Sequence, residues 1–190
     1  MKVMILSTHI KKWGHIDAIR KEALLFYKCL CREIPEADVI LVSIEDETDN
    51  PINVDDFIVT NLERLSKLIE QVKPDIIHII EATPYLFYQM LEGITMIPAK
   101  VVITCVDNNP LYGLTEQMIE EIMHLSDHND CFLYCYSENA LHVLHKAGIR
   151  NAAITEPLIE LVNKGNSDSE TSPQKISLDK AVVGFASTPF

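Results

Sequence analysis

Residues 73–84 read Lys73-Pro74-Asp75-Ile76-Ile77-His78-Ile79-Ile80-Glu81-Ala82-Thr83-Pro84. Between the proline-marked turn and Glu81, the segment Ile76–Ile80 carries isoleucine at every position but one. Polar and apolar residues do not alternate, so both sides of the segment seek burial, as in a central strand covered above and below. His78 stands inside this run, where a histidine is most simply a hydrogen-bonded core residue. Glu81 stands at its carboxyl end, where a polar group faces a ligand more readily than a core.

Working outward, further short β-branched runs alternate with longer amphipathic stretches. Upstream, Val3–Leu6 and Val39–Ile44 read as strands, and Asp17–Ile34 between them as a helix with Ile19, Ala23, Phe26 and Leu30 near one face. Asp17 suits the N-cap and Pro35 stops the helix. Glu45–Asp56 reads as an acidic surface loop, with a short strand at Phe57–Val59 and a helix over Asn61–Val72. Downstream, Tyr85–Leu91 reads as a helix, Val101–Val106 as a strand and Thr115–Leu125 as a helix. Phe132–Tyr136 is then a strand, Glu138–Ala147 a helix closed by Gly148, and Asn151–Thr155 a final strand. The fold class is α/β: a Rossmann-like, doubly wound parallel sheet with helices on both faces.

Composition narrows the function classes. The 190 residues carry 28 acidic and 16 basic side chains, a formal net charge of -12. Phosphate-backbone binding needs a basic surplus, so nucleic acid is not an expected partner. Charge is also uneven. Residues 1–35 hold seven basic and three acidic groups, whereas residues 36–70 hold ten acidic and two basic. This allows either an anion site near the N-terminus or two oppositely charged solvated faces. The five cysteines are odd in number and include no CxxC pair, which suits a reducing compartment, and the expected location is the cytoplasm. Cys131 and Cys135 share one face of a strand with no further ligand nearby and read as structural thiols. No stretch reaches the ~20 apolar residues of a membrane helix. Membrane association through Lys11, Lys12, Arg20, Lys21, Lys28 and Arg32 is conceivable but not favoured, because Asp17 and Glu22 interrupt them.

Residues 1–162 form one expected domain. Residues 163–180 (NKGNSDSETSPQKISLDK) read as a linker or exposed loop, and Ala181–Phe185 as one more strand, which returns to the sheet or opens a second domain. The first strand is followed by neither GxGxxG nor a P-loop, and the chain has no GxSxG or HExxH. In a parallel sheet, ligands collect at the carboxyl ends of the strands. The candidates there are the loop with Gly14 and His15, whose passage into a helix offers free amides to an anion, then Glu81, Asp107 with Asn108, and Ser137 with Glu138. Ser137 and Glu138 are equally an N-cap and a dipole partner.

Taken in order, the segments MKVMILS with a following WGH loop, KPDIIHIIEATP, VVITCVDNNP and YSENALHVLHKAGI resemble the N-terminal half of GT-B-fold, group 1 retaining glycosyltransferases. AVVGFASTPF at 181–190 is similar to the first strand of that family's second domain. The resemblance implies an acceptor-binding domain of a nucleotide-sugar-dependent, metal-independent hexosyltransferase, with no cofactor beyond the donor co-substrate. Its partners would be a nucleotide-sugar donor, an acceptor and its own C-terminal domain. It implies catalytic roles for Asp107 and Glu81, donor approach at Gly14 and His15, and acceptor or cleft contacts at Asn108, Ser137 and Glu138. Val106 stands where the family often has histidine. The alternatives are a non-catalytic α/β interaction module and a related nucleotide-sugar epimerase.

Overall fold

A computed structural model describes residues 1–10, 17–46, 52–54, 57–81, 83–92, 94, 98–127 and 131–157. These belong to one compact unit, Met1–Glu160. Gly14 and His15, the linker at 163–180 and the strand expected at Ala181–Phe185 lie outside the described residues.

In chain order the elements are β1 (Lys2–Thr8), α1 (Ala18–Glu33), β2 (Asp38–Ile44), β3 (Ile52–Val54), β4 (Phe57–Thr60), α2 (Leu62–Val72) and β5 (Ile76–Glu81). They continue with α3 (Pro84–Glu92), β6 (Lys100–Cys105), α4 (Glu116–Asp127), β7 (Cys131–Cys135), α5 (Glu138–Lys146) and β8 (Ala152–Ile154). The sheet order is β3-β4-β2-β1-β5-β6-β7-β8. Among the described residues, seven strands, β4-β2-β1-β5-β6-β7-β8, run parallel, and the edge pair β3–β4 is antiparallel. The expected all-loop reading of Glu45–Asp56 is thereby corrected: Ile52–Val54 turns back on Phe57–Val59 and adds an edge strand.

Strand alternation sorts the core. Met4, Leu6, Val42, Ile77, Ile79, Ile103 and Leu133 pack with Leu65, Phe87, Ile122 and Leu144 of α2 to α5. Val3, Ile5, Leu41 and Ile80 form a second cluster with Ala23, Leu24 and Leu30 of α1. Helices therefore cover both faces, as the isoleucine run of β5 requires. The helix starts follow capping chemistry. Asp17 accepts from the amides of Ile19 and Arg20, Asn61 from Arg64, and Ser137 from Ala140. None of the described helices is long and apolar enough to cross a membrane.

Gly148 follows α5 with φ +91, a left-handed conformation open to glycine, and a Cβ there would sit 2.7 Å from Met123 Sδ. Gly148→Ala is expected to cost about 1–2 kcal/mol. A melting temperature equal to wild type would show that the turn relaxes without strain.

Candidate functional site

The strand order reverses between β1 and β5, because β1 leads outward to β2 while β5 begins the run in the opposite direction. Such a switch point opens a crevice at the carboxyl ends of the two strands. Register places Leu6 beside Ile79, so Thr8 and Glu81, two residues on, end level with each other.

Glu81 is fully buried. Its Oε2 accepts from Thr8 Oγ1 at 2.6 Å and from the Thr8 amide at 3.3 Å, and its Oε1 lies 3.4 Å from Arg20 Nη2. Arg20 comes from the first turns of α1. Its Nε donates to the Thr8 carbonyl at 2.9 Å and its Nη2 to Thr8 Oγ1 at 2.5 Å, while Nη1 meets Asp17 Oδ1 at 3.2 Å. Backbone amides of Ile19 and Arg20, with the guanidinium beside them, hold the Asp17 carboxyl below its ordinary range despite partial burial, which acts the other way. Glu81 is thus an anchored carboxylate at the strand ends, with its oxygens turned to Thr8, Arg20 and the Thr83 amide.

A second set of polar groups meets at the ends of β1 and β2. His9 adopts a left-handed backbone, φ 52, and its Nδ1 lies 3.1 Å from Glu45 Oε2. The other Glu45 oxygen accepts from Ser43 Oγ at 2.6 Å, and Ser43 Oγ in turn accepts from the Ile10 amide at 2.9 Å. A positive φ at a non-glycine residue is uncommon and clusters at functional sites.

On the other side of β5, the ends of β6 and β7 carry the remaining candidates. Asp107 and Asn108 are exposed, and Asp107 Oδ1 accepts from the Asn109 amide at 2.8 Å, closing a turn. Ser137 Oγ donates to Asn108 Oδ1 at 2.9 Å, and Asn139 Nδ2 reaches the Asn108 carbonyl at 3.4 Å. Glu138 is exposed in the first turn of α5. The structure therefore joins Asn108 to Ser137 directly, and it joins Glu81 to Thr8 and Arg20.

Sequence reasoning left out Thr8, Arg20 and Asn139. Thr8 was legible only as loop, and Arg20 only as one of several scattered basic residues. The signal that could have found Arg20 is its spacing three residues after an N-cap aspartate, which puts its side chain back over the strand ends.

His78 behaves as expected of a core histidine. Its Nε2 lies 2.7 Å from Thr104 Oγ1, its ring meets Phe26 edge-on at 4.5 Å, and burial pushes its pKa down to about 4. It borders a groove of about 440 Å³ between α1 and β5–β7, with Phe26, Leu30, Val102, Tyr134 and Tyr136 also on its walls. Tyr136 donates to Glu22 across this groove. Burial also pushes the Cys105, Cys131 and Cys135 thiols up, Cys131 to about 12, which keeps them protonated and inert. Among the described residues no group of His, Cys, Asp and Glu is arranged to hold a metal ion.

No protein-family model matches the chain, and no curated protein matches it. Among solved structures it is similar to an N-terminal ketoreductase from a macrolactin assembly line, at 11% identity and a TM-score of 0.47, over 82% of this chain and 38% of that one. It is also similar to a homoserine dehydrogenase of S. aureus, at 10% identity and a TM-score of 0.39, over 71% of this chain and 32% of that one. The chain thus spans well under half the length of either. The strand order, the seven parallel strands and the helices on both faces define a Rossmann-like α/β domain.

Proposed function

We propose that this domain is the acceptor-binding half of a nucleotide-sugar-dependent glycosyltransferase that transfers a sugar with retention. The observation that carries the reading is the polar set of exposed Asp107, Asn108 and Asn139 with half-buried Ser137, gathered at the carboxyl ends of two neighbouring parallel strands. Carboxylate, amide and hydroxyl groups that both donate and accept are the chemistry that recognises a polyol. The resemblance of the four sequence segments to group 1 glycosyltransferases supports the same reading.

In this proposal Asp107 and Asn108 contact the acceptor, and Ser137 and Asn139 hold Asn108 in place. Glu81 acts at one remove, through Thr8 and Arg20. Gly14 and His15 would approach the donor, and Glu138 would border the site. The counter-charges for the leaving diphosphate would come from a second domain, since this chain is strongly acidic overall. The 190-residue chain is therefore expected to bind a nucleoside diphosphate only weakly, with Kd in the millimolar range, about -4 kcal/mol. It is expected not to turn over a sugar nucleotide by itself.

In a protein carrying both domains, Asp107→Ala is expected to lower sugar transfer at least tenfold, about 1.4 kcal/mol of transition-state stabilisation. Transfer from labelled nucleotide sugars to a panel of hydroxyl acceptors measures it, with melting temperature as the control. Wild-type turnover in the variant would remove Asp107 from the site. A non-catalytic interaction module is the second reading, favoured by Val106 in place of histidine. Absence of transfer with every donor by the two-domain protein would support it.

A further inference from the structure

The two faces of the sheet are covered unequally by the described helices. On one face α2 to α5 pack against Ile103, Leu133, Cys135 and their neighbours. On the other lies α1, which packs over β1, β2 and β5. Val102 and Thr104 of β6, and Tyr134 of β7 with Tyr136 just past it, alternate with Ile103, Leu133 and Cys135, so they stand on the α1 side. Between them and α1 runs the groove of about 440 Å³, a volume within the range of small-ligand pockets.

This groove is polarised along its length. α1 runs back from the carboxyl ends of the strands, so Leu30 and Ile34 line the end near the strand starts, together with Ile76, the first residue of β5. Glu22, Tyr136 and Glu156 line the other end, where the Tyr136 hydroxyl donates to Glu22. A carboxylate that accepts a hydrogen bond keeps its negative charge. Phe26, Tyr134 and Tyr136 place three aromatic rings on the walls. Among the described residues no lysine or arginine lines the groove, and the chain's amino group, at Met1, belongs to the apolar end. His78 adds no positive charge at pH 7, since burial holds it neutral.

We propose that this groove binds an organic cation, an ammonium group on an apolar body, with the body along Leu30, Ile34 and Ile76 and the ammonium among Glu22, Glu156 and the tyrosine rings. An aromatic face attracts a cation through its quadrupole, more strongly where water is excluded, and the two carboxylates add charge of the right sign. A phosphate or carboxylate ligand meets the same groups as repulsion. A neutral apolar ligand gains only from the apolar end. The site stands apart from the polar set at Asp107 and Asn108 and does not depend on the sugar-transfer reading.

NMR titration of the 190-residue chain with octyltrimethylammonium tests it, beside octanol and octyl sulfate, which carry the same alkyl chain with no charge and with a negative one. Below its micelle-forming concentration, octyltrimethylammonium is expected to shift the Val102, Tyr134 and Tyr136 amides saturably, with a Kd roughly tenfold or more below that of either other probe. Glu22→Gln with Glu156→Gln is expected to raise that Kd roughly fivefold or more and to leave octanol binding within about twofold of wild type. Where the pair does not fold, Glu156→Gln alone, at an exposed position, is expected to raise it about twofold or more. Equal affinity for the three probes would overturn the proposal, since the groove would then select for apolar character only. Unchanged ammonium binding in the variants would overturn it as well, as would shifts confined to residues away from the groove. Silence of the groove amides toward every probe would mean that another part of this chain or a second copy fills the face, and would equally overturn it.

Discussion

Glu81→Ala is expected to lower the unfolding free energy by about 3 kcal/mol, the lower end of the range for breaking a buried charge pair by removing one partner. The carboxylate is fully buried and accepts from Thr8 Oγ1, the Thr8 amide and Arg20. Its removal leaves those buried donors without this acceptor, and a guanidinium with little solvent to replace it. For a domain of this size that is about 6–12 °C in melting temperature. Glu81→Gln keeps the shape and an acceptor oxygen, and is expected to lose less. Urea titration of both variants at pH 7 measures the difference. A loss under about 1 kcal/mol for Glu81→Ala would mean that water replaces the carboxylate and that the cluster is looser than its distances imply. In the proposed reading, the buried Glu81 supports the site through Thr8 and Arg20.

The second large effect is a pH dependence from His78. Burial lowers its pKa in the fold from an ordinary 6.5 to about 4. Above pH 6.5 the ring is neutral in both folded and unfolded chains and costs nothing. Between pH 6.5 and 4 the unfolded chain binds a proton that the folded chain does not, so stability falls as pH falls. The loss reaches about 2 kcal/mol at pH 5 and about 3 kcal/mol near pH 4, where the folded form begins to protonate as well. Carboxylates contribute slopes of their own in this range, so the useful quantity is the difference between wild type and His78→Gln. The variant also loses the Thr104 contact, but that offset is the same at every pH. Denaturation at pH 7, 6 and 5 is expected to show a shallower slope for His78→Gln by about 2 kcal/mol across the range. Parallel curves would mean that the ring is solvated or protonated in the fold.

Most of the element order was readable because it rests on local chemistry. The helix caps at Asp17 and Ser137 follow from short side chains beside free amides, and the Gly148 turn from a backbone angle that glycine adopts at little cost. The boundaries that shifted did so where a neighbour decided them. β1 was read as ending at Leu6, since apolar residues stop there, yet it continues through Ser7 and Thr8, which pair with Ser43 and Ile44 of β2. Polar residues join the strand because its neighbours supply the ladder and Glu81 and Arg20 satisfy the Thr8 hydroxyl. β3 was missed for a related reason: three residues, Ile52-Asn53-Val54, inside an acidic stretch are too short to show a period, and their antiparallel pairing with β4 is decided across the turn.

The candidate site divides along the same line. That Glu81, Asp107, Asn108, Ser137 and Glu138 would stand at carboxyl strand ends follows from their places after β-branched runs, because a parallel sheet brings all such ends to one edge. Asp107 and Asn108 were also legible as a turn, and the turn is there. The sequence by itself thus determined the strand and helix order apart from β3, the parallel character of the central sheet, and which polar residues share its carboxyl edge. Tertiary structure alone decided which of them meet. Arg20 reaches Glu81 across 61 positions of chain and Ser137 reaches Asn108 across 29, distances over which composition and periodicity carry no pairing information. It also decided that Glu81 is buried while Asp107 is exposed, since burial depends on what the neighbouring strands and α1 place over a residue, and that is set only when the sheet closes.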